Sequence, residues 1–219
     1  MAHYNRPMRT YPINLLAATN WLRERDHVLS TLISEQPMPE LQAHDDYYGA
    51  LVSSIIGQQL SVKAAASIKR RFVDLFGGTM PMPSAIITRT HEELRSVGLS
   101  NAKANYIRDL AEHVLDGRVH FNNINSQSNA EIIAELSDVK GIGEWTVHMF
   151  LMFCVGRLDV LPTGDLGIRN AIRDRYGLAT SPTPAEVRTL AETNGWHPYE
   201  TVACLYLWAS YDTEPFVPI

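Results

Sequence analysis

Ser137-Asp138-Val139-Lys140-Gly141-Ile142-Gly143 is the stretch of this 219-residue chain whose residue types most directly specify chemistry. Two glycines around a branched apolar residue make a tight hairpin, because glycine adopts turn conformations and lets another backbone approach closely. Gly143 sits where an apolar helix starts near Glu144. The unpaired N–H groups of that first turn then point outward together, a geometry that binds phosphate without any cationic side chain. A bare Gly-Ile-Gly also serves as a simple helix–helix turn. Here a short helix over 130–136 precedes it, Leu136 and Val139 lie before it and Trp145-Thr146-Val147 after, a rarer pattern. Asp165 precedes a second apolar helix, a place where aspartate caps backbone N–H groups. Cys154 and Cys204 are too few for a four-thiolate zinc or iron–sulfur site and do not suggest a disulfide framework.

The elements that must position these groups are helical. Tyr47, Leu51, Ser54, Ile55 and Gln58 fall on one helix face, and Ala102, Tyr106, Leu110 and Val114 on another. Thr90 with Glu93 forms a capping box, and Ser100 caps the helix after Gly98. Pro81 and Pro83 interrupt the pattern, as do Pro182 and Pro184. Strand-like alternation is scarce, so the reading is about ten helices with short loops, an all-α fold. No internal repeat is present, and the polar stretch 122–129 is too short for a linker. Nothing divides the chain into two sequential domains.

Composition narrows the class further. No run of eighteen apolar residues predicts a membrane span, and the first fourteen residues lack the pattern of a secretory signal. The expectation is a reducing, intracellular compartment. Nineteen basic against twenty-four acidic residues give a net charge of −5, which weighs against coating nucleic acid by bulk electrostatics. The distribution is uneven. Lys63, Lys69, Arg70 and Arg71 occur between Gln58 and Arg71 with no acid, and Arg6 and Arg9 lie in the leader. After Pro184, Glu186, Glu192, Glu200, Asp212 and Glu214 face Arg188 alone. A local basic face and an ordinary solvated helix face both fit.

About twenty residues past the hairpin comes Asp159-Val160-Leu161-Pro162-Thr163-Gly164-Asp165-Leu166-Gly167-Ile168-Arg169. A helix-hairpin-helix followed at this spacing by Pro, Asp and an apolar helix resembles the helix-hairpin-helix-Gly/Pro-Asp (HhH-GPD) DNA glycosylase superfamily. Ile55-Ile56-Gly57-Gln58-Gln59-Leu60-Ser61, Gly141 to Thr146, and Trp196-His197-Pro198 through Leu207-Trp208 are similar to its 3-methyladenine DNA glycosylase II (AlkA-type) branch. The resemblance runs from about Tyr47 to Trp208. It implies two helical lobes, residues 1–44 with 166–219 and residues 45–165, with the helix-hairpin-helix at 130–156 placed at the cleft between them. It also implies the compact form without an N-terminal β domain. The implied activity is hydrolysis of the N-glycosidic bond of alkylated bases, of 3-methyladenine or 7-methylguanine type, in base-excision repair. Two alternatives remain: a non-catalytic helix-hairpin-helix module that recognises DNA structure, and a glycosylase for deaminated or mismatched bases.

Roles follow from the same resemblance. Asp165 is the candidate catalytic carboxylate, an anion that stabilises positive charge developing on the sugar and orients water; a plain N-cap is the alternative. Trp145 and Trp208 would wall the pocket, with Met149 and Tyr47, because an electron-rich ring attracts a cationic base; core tryptophans are the alternative. Met149 stands where the branch can show an aromatic, which leaves a softer wall. Members that cut the backbone place a lysine at position 145, and Trp145 forms no Schiff base, so no lyase activity is expected. Gln58, Gln59 and Leu60 resemble the loop that probes the duplex, with Gln59 or Leu60 as wedge and Gln58 on the orphaned base; glutamines capping a helix end are the alternative. Lys140, Gly141, Gly143 and Thr146 would meet the DNA backbone. Carbonyls of Ser137, Val139 and Ile142 would hold a monovalent Na or K ion, and no cofactor is required. Glu200 occupies a place where relatives more often have arginine. Asp159 and His148 are read as structural. The expected partner is double-stranded DNA with damaged bases, bound by a monomer, in the cytoplasm and nucleoid of a bacterium or the nucleus of a eukaryote.

Overall fold

Side-chain oxygens set where most helices of this protein begin. A computed structural model describes residues 9–211. Arg6, Asp212 and Glu214, noted above for their charge, lie outside the described residues. In chain order the elements are β1 (Thr10–Pro12), α1 (Leu16–Arg25), α2 (His27–Glu35), β2 (Gln42–His44), α3 (Tyr47–Gly57), α4 (Val62–Leu75), α5 (Pro83–Ile87) and α6 (His91–Ser96). There follow α7 (Asn101–Leu115), α8 (Asn129–Ser137), α9 (Glu144–Phe150), a π-helical turn (Leu151–Val155), α10 (Leu166–Arg175), α11 (Pro184–Thr193) and α12 (Glu200–Ala209). The fold is thus mostly helical. Capping boxes open α6 (Thr90, Glu93), α8 (Ser128, Glu131) and α11 (Thr183, Glu186), and Ser100 caps α7. Each cap satisfies N–H groups that a helix start leaves without partners. Among the described residues no helix is long and apolar enough to cross a membrane.

The chain forms two compact units. One is Asp45–Phe150; in the other, Thr10–His44 joins the segment that starts at Leu151. Residues 151–165 therefore group with the terminal unit, not with the central lobe to which the sequence reading assigned them. Local bonding accounts for this: the buried Thr201 hydroxyl donates to the Arg157 carbonyl at 2.8 Å, and the Thr201 N–H donates to the Leu158 carbonyl at 2.9 Å.

In the central unit α3 is buried from Tyr48 to Gly57 and packs on α4, α7 and α9. An all-round apolar helix of this kind has no solvent face, and each buried Leu or Ile contributes roughly 1.5–3 kcal/mol. The inward stripe of α7 is Ala104, Ile107, Leu110 and Ala111, whereas Ala102 is exposed. The face predicted through Ala102 and Tyr106 is rotated because Tyr106 packs on the hairpin instead. Several cations of this unit bind its own carbonyls. Arg71 Nε donates to Val97 at 2.8 Å, Arg89 Nη2 to Leu75 at 3.2 Å, and Arg108 Nη1 to Arg89 at 2.7 Å. Leu75 and Val97 are helix-end carbonyls, the negative pole of their helices, where a cation is stabilising.

The terminal unit is built around α12, whose residues Thr201 to Trp208 are all buried against α2 and α10. β1 and β2 pair antiparallel, Tyr11 opposite Ala43, and β2 lies along the π-helical turn. Gly156, at φ +80°, lets the chain leave that turn; a Cβ there would stand 2.8 Å from Ala43 Cβ.

Candidate functional site

Asp165 is the N-cap of α10. Pro162 precedes it in a turn closed by the Asp165 N–H donating to the Pro162 carbonyl at 2.9 Å. Asp165 Oδ1 accepts the Ile168 N–H at 2.9 Å, as the cap reading required. The same oxygen also accepts the Trp208 indole N–H at 3.0 Å. A cap alone needs no second donor from a helix 43 residues away. Two N–H groups and the helix N-terminus hold the half-buried carboxylate in one orientation, as a reacting group requires.

The tryptophan reaches the carboxylate because of Gly167. A Cβ on Gly167 would stand 3.1 Å from Asp165 Oδ1 and 3.2 Å from Trp208 Cδ1 and Nε1. Glycine early in a helix is unfavourable by propensity, and that mismatch was the sequence signal that could have singled out Gly167. Trp208 is only 3% exposed and its ring lies 6.1 Å from Phe153. It meets Asp165 through its edge and holds the carboxylate in place. Along the same helix, Glu200, Cys204 and Trp208 recur at intervals of four, one face of α12. Burial raises the Cys204 thiol pKa well above its ordinary value, and the nearby Asp165 and Glu200 charges raise it further. Glu200 Oε1 lies 3.0 Å from His197 Nδ1, while its buried Oε2 meets no hydrogen-bond partner.

The central unit carries the hairpin between α8 and α9. The Val139 N–H donates to Leu136 and the Ile142 N–H to Val139 across the turn, and the Val147 N–H donates to Gly143 where α9 begins. Gly141 has φ +82°, and its missing Cβ would stand 2.2 Å from the Tyr106 ring. Gly143 faces open space, which leaves room for another backbone to approach. The Lys140 N–H donates to Asp109 Oδ2 at 2.8 Å and its ammonium pairs with Oδ1 at 3.3 Å. Burial works against the Asp109 charge, but the bonds from Lys140 outweigh it, and the carboxyl lies below its ordinary pKa.

After α3, Gln58 Nε2 donates to the Gly141 carbonyl at 2.7 Å, so this side chain ties the loop to the hairpin. Gln59 has φ 57°, a left-handed conformation that costs a glutamine energy, and its side chain is exposed. Leu60 is 36% exposed. Such strain with exposed tips is typical of functional loops.

The remaining candidates lie in the central unit. Trp145 is 38% exposed, Met149 is 1% exposed, and Thr146 and His148 are buried. Tyr47 is half-buried, its ring 6.0 Å from Phe150 and 6.1 Å from Phe121. The structure thus brings Asp165 together with Trp208, and Gln58 with Gly141. Carbonyl oxygens of Ser137, Val139 and Ile142 are hard, neutral donors, chemically suited to Na or K. Among the described residues no cluster of His, Cys, Asp and Glu could hold a metal ion.

Residues 52–195 match the model of the HhH-GPD superfamily base excision DNA repair proteins. The chain belongs to this superfamily. Protein YfjP of Bacillus subtilis is 32% identical over 190 residues, 84% of this chain and 66% of that relative, so the chain spans about two thirds of its length. The crystal structure of a DNA-3-methyladenine glycosidase from Bacillus halodurans superposes with a TM-score of 0.84 at 36% identity, covering 93% of each chain. The 3-methyladenine DNA glycosylase of Schizosaccharomyces pombe, solved with abasic DNA, gives 0.76 at 32% identity over 89% of this chain and 96% of that one.

Proposed function

We propose that this HhH-GPD protein is a monofunctional DNA glycosylase that hydrolyses the N-glycosidic bond of alkylated purines in duplex DNA and so starts base-excision repair. The observation that carries the reading is the Asp165 carboxylate held by the Trp208 indole at the start of α10. A carboxylate held by a cap and an indole can also be purely structural; what favours chemistry here is that the Asp165 carboxylate is only half-buried. The damaged base leaves the stack first, at a cost of a few kcal/mol, as an estimate. The bond from C1′ to the base nitrogen then breaks, and its electron pair leaves with the base. An alkylated base such as 3-methyladenine or 7-methylguanine already carries positive charge, so it departs neutral and needs no general acid. The sugar becomes positively charged, and Asp165 stabilises that charge electrostatically. Water adds to C1′, and its proton passes to Asp165 or to solvent.

Several residues serve this scheme. Trp145, 38% exposed, is the aromatic residue that would attract a cationic base. Position 145 holds no lysine, which supports a reaction that ends at the abasic site without cutting the backbone. The hairpin amides would take a phosphate, and the Ser137, Val139 and Ile142 carbonyls would hold a Na or K ion whose positive charge would favour that phosphate. The test is incubation with methylated duplex DNA, chromatography of released bases and a nicking assay with and without alkali. Release of methylated purines with alkali-dependent nicking is expected. Release of no base overturns the enzyme reading, and nicking without alkali overturns the monofunctional one.

A further inference from the structure

Helix α3 ends in carbonyls that no residue of the helix can satisfy. Lys103, reaching from α7, meets them. Its ammonium donates to the Ile56 carbonyl at 2.8 Å and to the Gln58 carbonyl at 2.7 Å. Partial burial lowers the pKa of this ammonium from the ordinary lysine value, and the two carbonyls compensate the lost hydration. Gln59, the residue in the left-handed conformation, follows at once.

Two further contacts come from the same side of α7. Lys103, Tyr106 and Asp109 are spaced by three, so they line one face. Tyr106 lies under Gly141 where a Cβ would go, and Asp109 accepts the Lys140 N–H. Gln58 closes the circuit by donating to the Gly141 carbonyl. One rigid helix face therefore fixes both the exposed loop and the hairpin.

We propose that Lys103 is a positioning residue for base extrusion: by pinning the Ile56 and Gln58 carbonyls it holds Gln59 and Leu60 in the shape that enters the duplex, at a set offset from the hairpin. The proposal rests on the reading of these two segments as DNA-contacting. Without the ammonium, α3 keeps its buried packing while the loop samples other shapes. If the competent shape is then populated about a tenth of the time, affinity that depends on it falls about tenfold. Contacts made by the hairpin alone are unaffected.

The test uses the full chain and two fluorescent duplexes, one undamaged and one carrying a tetrahydrofuran abasic-site analogue. Lys103→Met is expected to bind the abasic duplex about tenfold more weakly and the undamaged duplex within about twofold of the parent. Amide hydrogen exchange at residues 58–60 speeds up in parallel, and Lys103→Arg restores most of the discrimination. Equal losses on both duplexes, or no loss on either, overturn the proposal, since a merely structural role moves both together. If Lys103→Met fails to fold, Lys103→Arg is compared with Lys103→Gln: discrimination kept better by Arg supports the role, and equal behaviour overturns it. A parent protein that binds both duplexes alike and releases no methylated base refutes the functional reading. Exchange at 58–60 then decides separately whether Lys103 holds the loop.

Discussion

Two aspartates of the terminal unit share the same local job, and the proposed function gives them different ends. Asp26 caps α2, its Oδ1 accepting the Val28 and Leu29 N–H groups at 2.9 and 3.0 Å. Its Oδ2 accepts the Trp196 indole N–H at 2.7 Å and the Tyr176 hydroxyl at 2.5 Å. With four donors and 1% exposure, that carboxylate is enclosed. Asp165 also caps a helix and also accepts an indole N–H, but the residue is only half-buried. The lesson is that a cap and a tryptophan are compatible with either stability or chemistry. What separates the two is how completely the protein encloses the carboxylate.

The sharpest way to break this comparison is to neutralise each aspartate. Asp165→Asn keeps a capping oxygen, so it is expected to leave urea stability within about 1 kcal/mol while slowing release of methylated base at least about a hundredfold in single-turnover assays. Asp26→Asn should do the reverse. Its amide would turn a donor toward the Trp196 N–H or the cap amides, costing about 1–3 kcal/mol in urea unfolding, with release per folded molecule little changed. Equal activity losses in the two variants would remove the distinction.

The indoles give the next largest effect. Trp208→Phe keeps the ring and removes the N–H from Asp165, and about a tenfold loss in single-turnover rate is expected from losing one charge-assisted bond. Trp196→Phe should instead lower the unfolding midpoint. Gly167→Ala is milder: the added methyl presses on Asp165 Oδ1 and Trp208 by a few tenths of an ångström. A few-fold loss of rate is expected, with stability within about 1 kcal/mol because alanine favours the helix.

The smallest effect is in pH. Burial, then the bond and the charge of Asp26, raise the Tyr176 pKa above that of an ordinary phenol. A raised folded-state pKa gives stability that is complete below the unfolded value, near 10, and is lost as pH climbs above it. Tyr176→Phe should flatten the decline of urea stability above about pH 10; an unchanged slope would separate Tyr176 from the alkaline limb.

What was legible in the sequence was local. The Thr90 and Ser100 caps and the hairpin after Leu136 depend on residues within a few positions, and they form as read. Asp165 was legible as a cap, and the family resemblance marked it for chemistry. Asp26 was invisible as anything special because its Oδ2 partners are 150 and 170 residues away. The inward face of α7 was misread for the same reason. Tyr106 looks like a core residue by spacing, yet it serves a glycine in another element. Gln58 fitted a duplex contact by resemblance, and its amide proves to bond the hairpin.

The habit of several of the central unit's cations has one more consequence. Lys103, Arg71, Arg89 and Arg108 grip internal carbonyls, and Lys140 is paired with Asp109. Cations so occupied displace few ions from the atmosphere around a polyanion, and amide dipoles displace none. In a logarithmic plot of the proposed DNA association constant against sodium chloride, these five should therefore contribute little to the gradient, which is expected to come instead from Lys63, Lys69 and Arg70 of α4.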